Sequence, residues 1–413
     1  MSVTDRPIPY AESELLAEHT ADLPRWLWAL AGFIAAGLVA LGCVLLALPF
    51  FIPALFGSAG TISASYGLMA ITLGSALLIG SVRGWRRAPA RHFYSRWAWL
   101  YLILVSVAIA VLAVLLPSDV QNTPLFAPFH FALILLPGLL LLSLLALLSG
   151  RGSAVAGRRL SLAAAGGATS VTLAIPLELI GLAISGIVAV AVAMVIPGGV
   201  DEFERIIVLL EGWSLQPPTD ELEILTLVAS PIVLLGLAVL LGVIAPLVEE
   251  FGKTLVLGVM GIWVKPSVLV GFIWGVACGL GFAWLEGISN GALGLGDTTA
   301  WLGGVGVRVL ATSMHALTGG ILGVGWAYLW RGKRWALLLS YAVAVVFHGL
   351  WNLNVVMSLG GVGIAGLSPA VGGALAVLGV GFQLLLVAVC LSALVGIPLL
   401  LRRRDATRVA QPS

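Results

Sequence analysis

Residues 267–288, SVLVGFIWGVACGLGFAWLEGI, decide the fold class of this chain. The segment carries one charged side chain, Glu286, and about 20 apolar residues suffice for a helix to cross a hydrocarbon core roughly 30 Å thick. Such a helix satisfies its own backbone hydrogen bonds in lipid, and the alternating pattern of a membrane β-barrel is absent. We therefore predict an all-α integral membrane protein, a polytopic helical bundle of about ten transmembrane helices, over residues 26–51, 62–82, 97–117, 129–149, 161–196, 224–264, 267–288, 300–330, 335–358 and 369–401.

The composition of the whole chain is typical of a membrane protein. Of its 413 residues, 60% are hydrophobic and 10% are charged, whereas charged residues make up about 25% of an ordinary soluble domain. The net charge of +2 comes from small basic clusters between apolar segments, which favours a lipid bilayer as the partner and gives no indication of nucleic acid. Cys43, Cys278 and Cys390 lie in apolar segments, without the spacing of a disulfide framework or a CxxC metal site.

The basic clusters also predict the orientation of the chain. They follow the second, fourth, eighth and tenth predicted spans, each an even number of crossings from the N-terminus. Because cytoplasmic loops are enriched in lysine and arginine, we predict that both termini are cytoplasmic and that the first span is retained. The clusters consist of Arg83, Arg86, Arg87, Arg91, Arg96, Arg151, Arg158, Arg159, Arg331, Lys333, Arg334, Arg402, Arg403 and Arg404.

Ionisable residues divide the predicted bundle into two functional parts. Residues 25–160 form an N-terminal four-helix membrane bundle with almost no ionisable side chains in its spans. Residues 161–401 form a C-terminal core that has several, and we expect the functional site there. Residues 1–24 and 402–413 are predicted to be cytoplasmic tails.

Two of the apolar segments are too long for one straight crossing. A helix over 224–264 would be roughly 60 Å long, about twice the hydrocarbon thickness. We expect this segment to break at Pro231 and Pro246, and 161–196 to break at Pro176, because proline disrupts a helix. The sequence is compatible with a total of ten spans or of twelve.

The polar residues inside the C-terminal spans require an explanation. A charged side chain at the bilayer centre costs on the order of 3 kcal/mol. Such residues are therefore candidates for a functional site rather than incidental features. They are Glu249, Glu250, Lys253, Glu286, His315, His348 and Asn352.

These residues are predicted to share one depth in the membrane. Counted at 1.5 Å per residue from the nearest cytoplasmic mark, Glu249 and His315 each lie roughly 24 Å along their helices. Glu286 lies roughly 30 Å along its helix, and His348 and Asn352 roughly 21 and 27 Å. The agreement predicts one site in the outer half of the membrane.

The spacing within each segment indicates different roles. Lys253 is one helical turn from Glu249 and Glu250, whereas the two glutamates point about 100° apart. Three further pairs of residues are four apart, so each shares a helix face. We interpret Gly319 primarily as a position where a second helix packs closely. The pairs are Phe282 with Glu286, His315 with Gly319, and His348 with Asn352.

The order EExxK, FxxxE, HxxxG and HxxxN over residues 224–358 resembles the PrsW family of intramembrane proteases, which is related to the CAAX-processing type II proteases. The resemblance implies a hydrolase that cuts a membrane-anchored protein near or within the bilayer, with residues 161–401 as its protease-like core. It further implies an anti-sigma-factor-like substrate attacked from the outer side, and a multi-pass protein of the bacterial plasma membrane.

The same resemblance implies roles for the site residues. Glu249 or Glu250 would be the general base that activates water, with Asn352 as a further hydrogen-bond donor. His315 and His348 would bind a metal or polarise the scissile carbonyl, and Glu286 would be a metal ligand or an orienting group. Lys253, Phe282 and Gly319 would support them.

Three questions stay open on the sequence. A Zn²⁺ ion held by His315, His348 and Glu286 is one alternative, and a metal-free glutamate mechanism is the other, since the short HExxH arrangement is absent. A non-catalytic membrane scaffold of the same fold would use the polar residues only to hold helices together. A proton-coupled transporter would use them as a relay.

Overall fold

The computed structural model describes residues 22–56, 59–88, 97–149, 157–215 and 221–410, and these residues form helices without any strand. A 3₁₀ turn, Pro124–Phe126, precedes α6, and a π turn, Leu240–Ile244, joins α11 to α12. The α-helices are α1 Arg25–Phe51, α2 Pro53–Phe56, α3 Ala59–Trp85, α4 Ala98–Leu115, α5 Ser118–Gln121, α6 Ala127–Ser149, α7 Gly157–Thr169, α8 Val171–Ala193, α9 Gly199–Leu215, α10 Glu221–Ala229, α11 Pro231–Val239, α12 Ala245–Lys253, α13 Leu255–Gly261, α14 Val268–Gly291, α15 Thr298–Leu329, α16 Arg334–Leu367 and α17 Pro369–Ala410.

Within the described ranges, ten helical segments are long and apolar enough to cross a membrane. Each corresponds to one predicted span, which confirms the polytopic all-α fold class. Predictions for residues 1–21, Arg91, Arg96 and Arg151 lie outside the described residues. The ten segments are Arg25–Phe51, Ala59–Trp85, Ala98–Leu115, Pro124–Ser149, Gly157–Ala193, Pro231–Gly261, Val268–Gly291, Thr298–Leu329, Arg334–Val362 and Pro369–Arg404.

The helices group into two compact units. Unit 1 comprises residues 1–171, 253–341 and 390–413, and unit 2 comprises residues 172–252 and 342–389. Both units draw on the region from 161 to 401. The functional division of the chain near residue 160 stays a prediction.

Glycines bring α14 and α15 together in unit 1. A Cβ on Gly275 would collide with the backbone of Gly319, and a Cβ on Gly279 would collide with the carbonyl of His315. The two helices therefore pack backbone against backbone, as small residues permit in membranes. This contact confirms the helix-packing interpretation of Gly319 and fixes His315 against α14.

Arg158 joins three segments of unit 1. Its guanidinium pairs with Asp22 at 3.0 Å and donates to the Ala88 carbonyl at 2.8 Å. The rings of Trp26 and Trp263 meet edge to face. Arg158 belongs to a basic cluster that is predicted to be cytoplasmic, and the side of the membrane stays a prediction.

The expected break points were correct at one proline and wrong at two. Pro231 starts α11, but Pro176 lies inside α8 and Pro246 inside α12. The helices end instead at Ser170 and Thr254. Prolines are tolerated in membrane helices when local π turns or neighbouring helices satisfy the freed carbonyls, and a π turn directly precedes Pro246.

Candidate active site

Helix α12 carries the first three polar residues of the site. Glu249 is 6% exposed, and Glu250 and Lys253 are fully buried. An ionised group buried this deeply requires close partners because desolvation disfavours its charge. Those partners identify what each residue can do.

His348 of α16 lies beside both glutamates in unit 2. Its Nδ1 is 2.8 Å from Glu250 Oε1, and its Nε2 is 3.8 Å from Glu249 Oε2. Because a carboxylate only accepts hydrogen bonds, we assign the ring proton to Nδ1, which donates to Glu250. With that tautomer, a neutral ring directs its Nε2 lone pair toward Glu249.

Asn352 lies one turn after His348 on α16. Its side-chain amide donates to the Leu241 carbonyl in the π turn at 2.9 Å. The predicted role of Asn352 as a donor to substrate stays a prediction. The observed partner is the backbone of the segment that leads into α12.

His315 of α15 is contacted at both ring nitrogens within unit 1. Lys253 Nζ lies 3.0 Å from His315 Nδ1, and Glu286 Oε2 lies 2.9 Å from His315 Nε2. Since an ammonium group only donates, Nδ1 is the acceptor and the proton of the neutral ring is assigned to Nε2. Lys253 and Glu286 together fix the orientation of this ring.

Phe282 supports the same group of residues. Its ring centre is 4.6 Å from the Lys253 ammonium and 5.5 Å from the centre of the His315 ring. A cation over an aromatic face is stabilised where water is excluded. Phe282, one turn before Glu286, thus holds Lys253 against His315.

Glu286 has two further partners. Arg308 donates to Glu286 Oε2 at 3.1 Å, and Asn290 donates to Glu286 Oε1 at 2.9 Å. A carboxylate engaged by an arginine, an amide and a histidine is suited to orienting His315. This is the second of the two roles predicted for Glu286.

Sequence reasoning did not identify Arg308. The residue stands seven positions before His315, two helical turns away on the same face of α15. An arginine inside an apolar segment is itself the signal of a functional region. It could have been found by pairing every charged residue of a span with the nearest opposite charge.

The structure therefore brings the predicted residues together in two groups. Glu249, Glu250, His348 and Asn352 form the group of unit 2, and Lys253, Phe282, Glu286 and His315 form the group of unit 1. Helix α12 contributes to both, since Lys253 is its last residue. That all of them serve one site stays a prediction.

The ten apolar spans of the described residues, with carboxylates and histidines buried in their helices, define a multi-pass membrane protein with groups suited to chemistry in its spans. Residues 177–389, just over half of the chain, match the family described as PrsW family intramembrane metalloprotease, and the chain belongs to that family. The protein is therefore an intramembrane protease, and the resemblance drawn from the four motifs is confirmed. Comparisons with curated proteins and with solved structures gave no significant match.

Proposed function

We propose that the protein hydrolyses a peptide bond of a membrane-anchored protein, with Glu249 as the general base and His348 as its partner at the attacking water. The observation that carries the proposal is the buried pair of Glu249 Oε2 and His348 Nε2, 3.8 Å apart. A carboxylate oxygen and a ring nitrogen at this separation can both bind one water molecule or one metal ion.

Glu250 is assigned a different task from Glu249. It is fully buried and accepts the Nδ1 proton of His348. A carboxylate on the far nitrogen of a histidine fixes the ring and makes the other nitrogen more basic. Glu250 thus positions His348, which agrees with the prediction that the two glutamates differ in role.

The residues present fit a metal such as Zn²⁺. A histidine nitrogen and a carboxylate oxygen are both zinc ligands, with bonds of about 2.0 to 2.2 Å, and the 3.8 Å separation allows both to reach one ion. When bound, the ion would supply Lewis-acid polarisation of the scissile carbonyl. With the metal bound, Glu249 would be a carboxylate ligand in place of its role as general base, and we favour it over Glu286 because Glu286 is engaged by Arg308 and Asn290.

His315 and Lys253 are proposed to serve the same reaction. Lys253 is a fully buried cation held by the His315 ring and the face of Phe282. Fixed donors in a water-free site stabilise the negative charge that develops on a carbonyl oxygen in acyl transfer. We assign Lys253 to that charge, with His315 holding the ammonium group in place.

The substrate class follows from the location of these residues. They are buried in membrane spans, so the substrate has to bring its peptide bond into or next to the bilayer. The predicted depth places the reaction in the outer half. A single-span protein such as an anti-sigma-factor-like regulator, in a bacterial plasma membrane, fits these requirements.

The proposal is tested with purified protein in proteoliposomes that also contain a panel of doubly tagged single-span proteins. We expect cleavage by the wild type, and a loss of about 100-fold or more for Glu249→Gln and for His315→Ala. Glu250→Gln should lose roughly 10- to 100-fold. Glu204→Gln on the exposed face of α9 is the matched control and should cleave normally.

Two outcomes would overturn the assignment. Undiminished cleavage by all three variants would show that these residues do not carry the reaction. A lowered melting temperature (Tm) in the variants, combined with no cleavage of any substrate by the wild type, would favour the non-catalytic scaffold.

A further inference from the structure

The π turn before α12 leaves one carbonyl without a backbone donor. In this turn, Leu240–Ile244, the Ala245 N–H donates to the Leu240 carbonyl, five residues back. The same register would assign the next N–H, at position 246, to the Leu241 carbonyl. Position 246 is Pro246, which has no N–H to donate.

Asn352 supplies the missing donor. Its side-chain amide is 2.9 Å from the Leu241 oxygen. A carbonyl without a donor inside a membrane is strongly unfavourable, and this side chain replaces a hydrogen bond that the backbone cannot make. The contact ties α16 to the segment that precedes the glutamates.

Glycine at position 349 makes the close approach feasible. A Cβ at Gly349 would collide with the Gly242 carbonyl, in the same π turn. On the facing side, a Cβ at Gly242 would collide with the Leu353 side chain. Helix α16 therefore lies directly on the π turn between His348 and Asn352.

We propose that Asn352 is a positioning residue. It holds the π turn that Pro246 creates, and through that turn it fixes the start of α12 relative to His348. Glu249 is three residues beyond Pro246 and Glu250 is four. A shift of the π turn would therefore change the distance of both carboxylates from His348. The contact between Asn352 and Leu241 does not depend on the proposed function, whereas its effect on cleavage rests on that function.

The test is a double-substitution cycle between Asn352 and Pro246. Asn352→Leu removes the donor at similar volume, and Pro246→Ala restores a backbone N–H that can donate to Leu241. Wild type, both single variants and the double variant are compared for Tm and for cleavage in proteoliposomes. Asn354→Leu, with and without Pro246→Ala, is the matched control because Asn354 donates to Gly379 and Gln383 on α17.

We expect Asn352→Leu to lower Tm by a few degrees and to slow cleavage roughly 10- to 100-fold, the effect of a small displacement of catalytic groups. Adding Pro246→Ala should recover most of both losses. The Asn354→Leu loss should not be recovered by Pro246→Ala. That pattern would support positioning through the Leu241 carbonyl.

Three results separate the alternatives. Recovery of Tm without recovery of cleavage would overturn the positioning role and support Asn352 as a donor to substrate. Additive losses in both measurements would show that the Leu241 contact has no energetic significance. If no variant and no wild type cleaves any substrate, the proposed function fails, and the Tm cycle alone still decides whether Asn352 compensates for Pro246.

Discussion

His348 separates the two adjacent glutamates of α12 into different chemical environments. Glu250 is fully buried and hydrogen bonded to Nδ1, whereas Glu249 Oε2 faces Nε2 at 3.8 Å. The sequence predicted different roles from the 100° between neighbouring side chains on a helix. The sequence could not say which glutamate has which role, because the roles depend on which carboxylate the His348 ring of α16 contacts.

Metal content distinguishes the ligands proposed for zinc. We expect about one zinc ion per purified chain, and a large loss of it in Glu249→Gln and His348→Ala, because zinc sites need their imidazole and carboxylate ligands. Glu286→Gln should keep its metal, since Glu286 is proposed to orient His315. Mass spectrometry of metals checks this, and a metal-free wild type that still cleaves would contradict it.

The pair formed by Arg308 and Glu286 predicts a stability effect. Their side chains are 16% and 22% exposed, so Arg308→Met should destabilise the protein by about 1 to 3 kcal/mol by leaving the carboxylate without its cation. Adding Glu286→Gln should recover part of that loss. Thermal unfolding in detergent measures both changes.

Arg205→Met is the matched control for this pair. Arg205 pairs with Glu202 on α9, where the arginine side chain is 41% exposed, so its removal should cost less than about 1 kcal/mol. Equal losses for Arg205→Met and Arg308→Met, or strictly additive losses at Arg308 and Glu286, would show that the Arg308 contact is unimportant.

At the level of helices, the interface between α14 and α15 depends on glycines. Gly275→Ala should destabilise the protein by about 1 to 3 kcal/mol, because its Cβ would meet the Gly319 backbone, which cannot rotate away. Gly303→Ala on α15 meets no atom within 4 Å and should be neutral or stabilising by up to about 1 kcal/mol. Thermal unfolding checks the difference, and equal effects would contradict the packing described.

The positions of the helices were predictable, and their interruptions were not. Apolar segments of sufficient length identify a span whatever it packs against, so all ten were found. Pro176 and Pro246 were expected to break helices, yet both lie inside them. For Pro246, the tertiary contact from Asn352 to Leu241 satisfies a carbonyl that the sequence alone leaves without a donor.

For the molecule as a whole, the charges of the loops predict which loops lie on the cytoplasmic side of the membrane and which lie outside. In unit 1, Arg158, Asp22 and Ala88 meet in one contact, while Gln121 at the end of α5 donates to Thr298 at the start of α15 at 2.8 Å. Reporter fusions should place residues 1, 90 and 413 in the cytoplasm and residues 121 and 295 outside. A fusion at 413 on the opposite side from residue 1 would contradict the even number of spans.

Some features of the site could be predicted from the sequence, and others could not. Counting along the helices placed Glu286 near the level of His315, and Glu249 near that of His348, and these pairs lie 2.9 and 3.8 Å apart. A count along a helix gives the depth of a residue but not the direction in which its side chain points around the helix axis. The pairing of Arg308 with Glu286 and the contact of Asn352 with the Leu241 carbonyl are therefore visible only in the packed structure.

We propose that Glu249 directs hydrolysis of a peptide bond at the membrane. The most direct test of this role is mass spectrometry of the products released from a doubly tagged single-span protein in proteoliposomes, with wild type and Glu249→Gln compared at equal folded concentration. We predict one pair of new termini, in the outer half of the substrate's span or just beyond it, formed by the wild type and absent with Glu249→Gln. The same termini in equal amount from both proteins, or cleavage only in a distant soluble loop, would contradict the account.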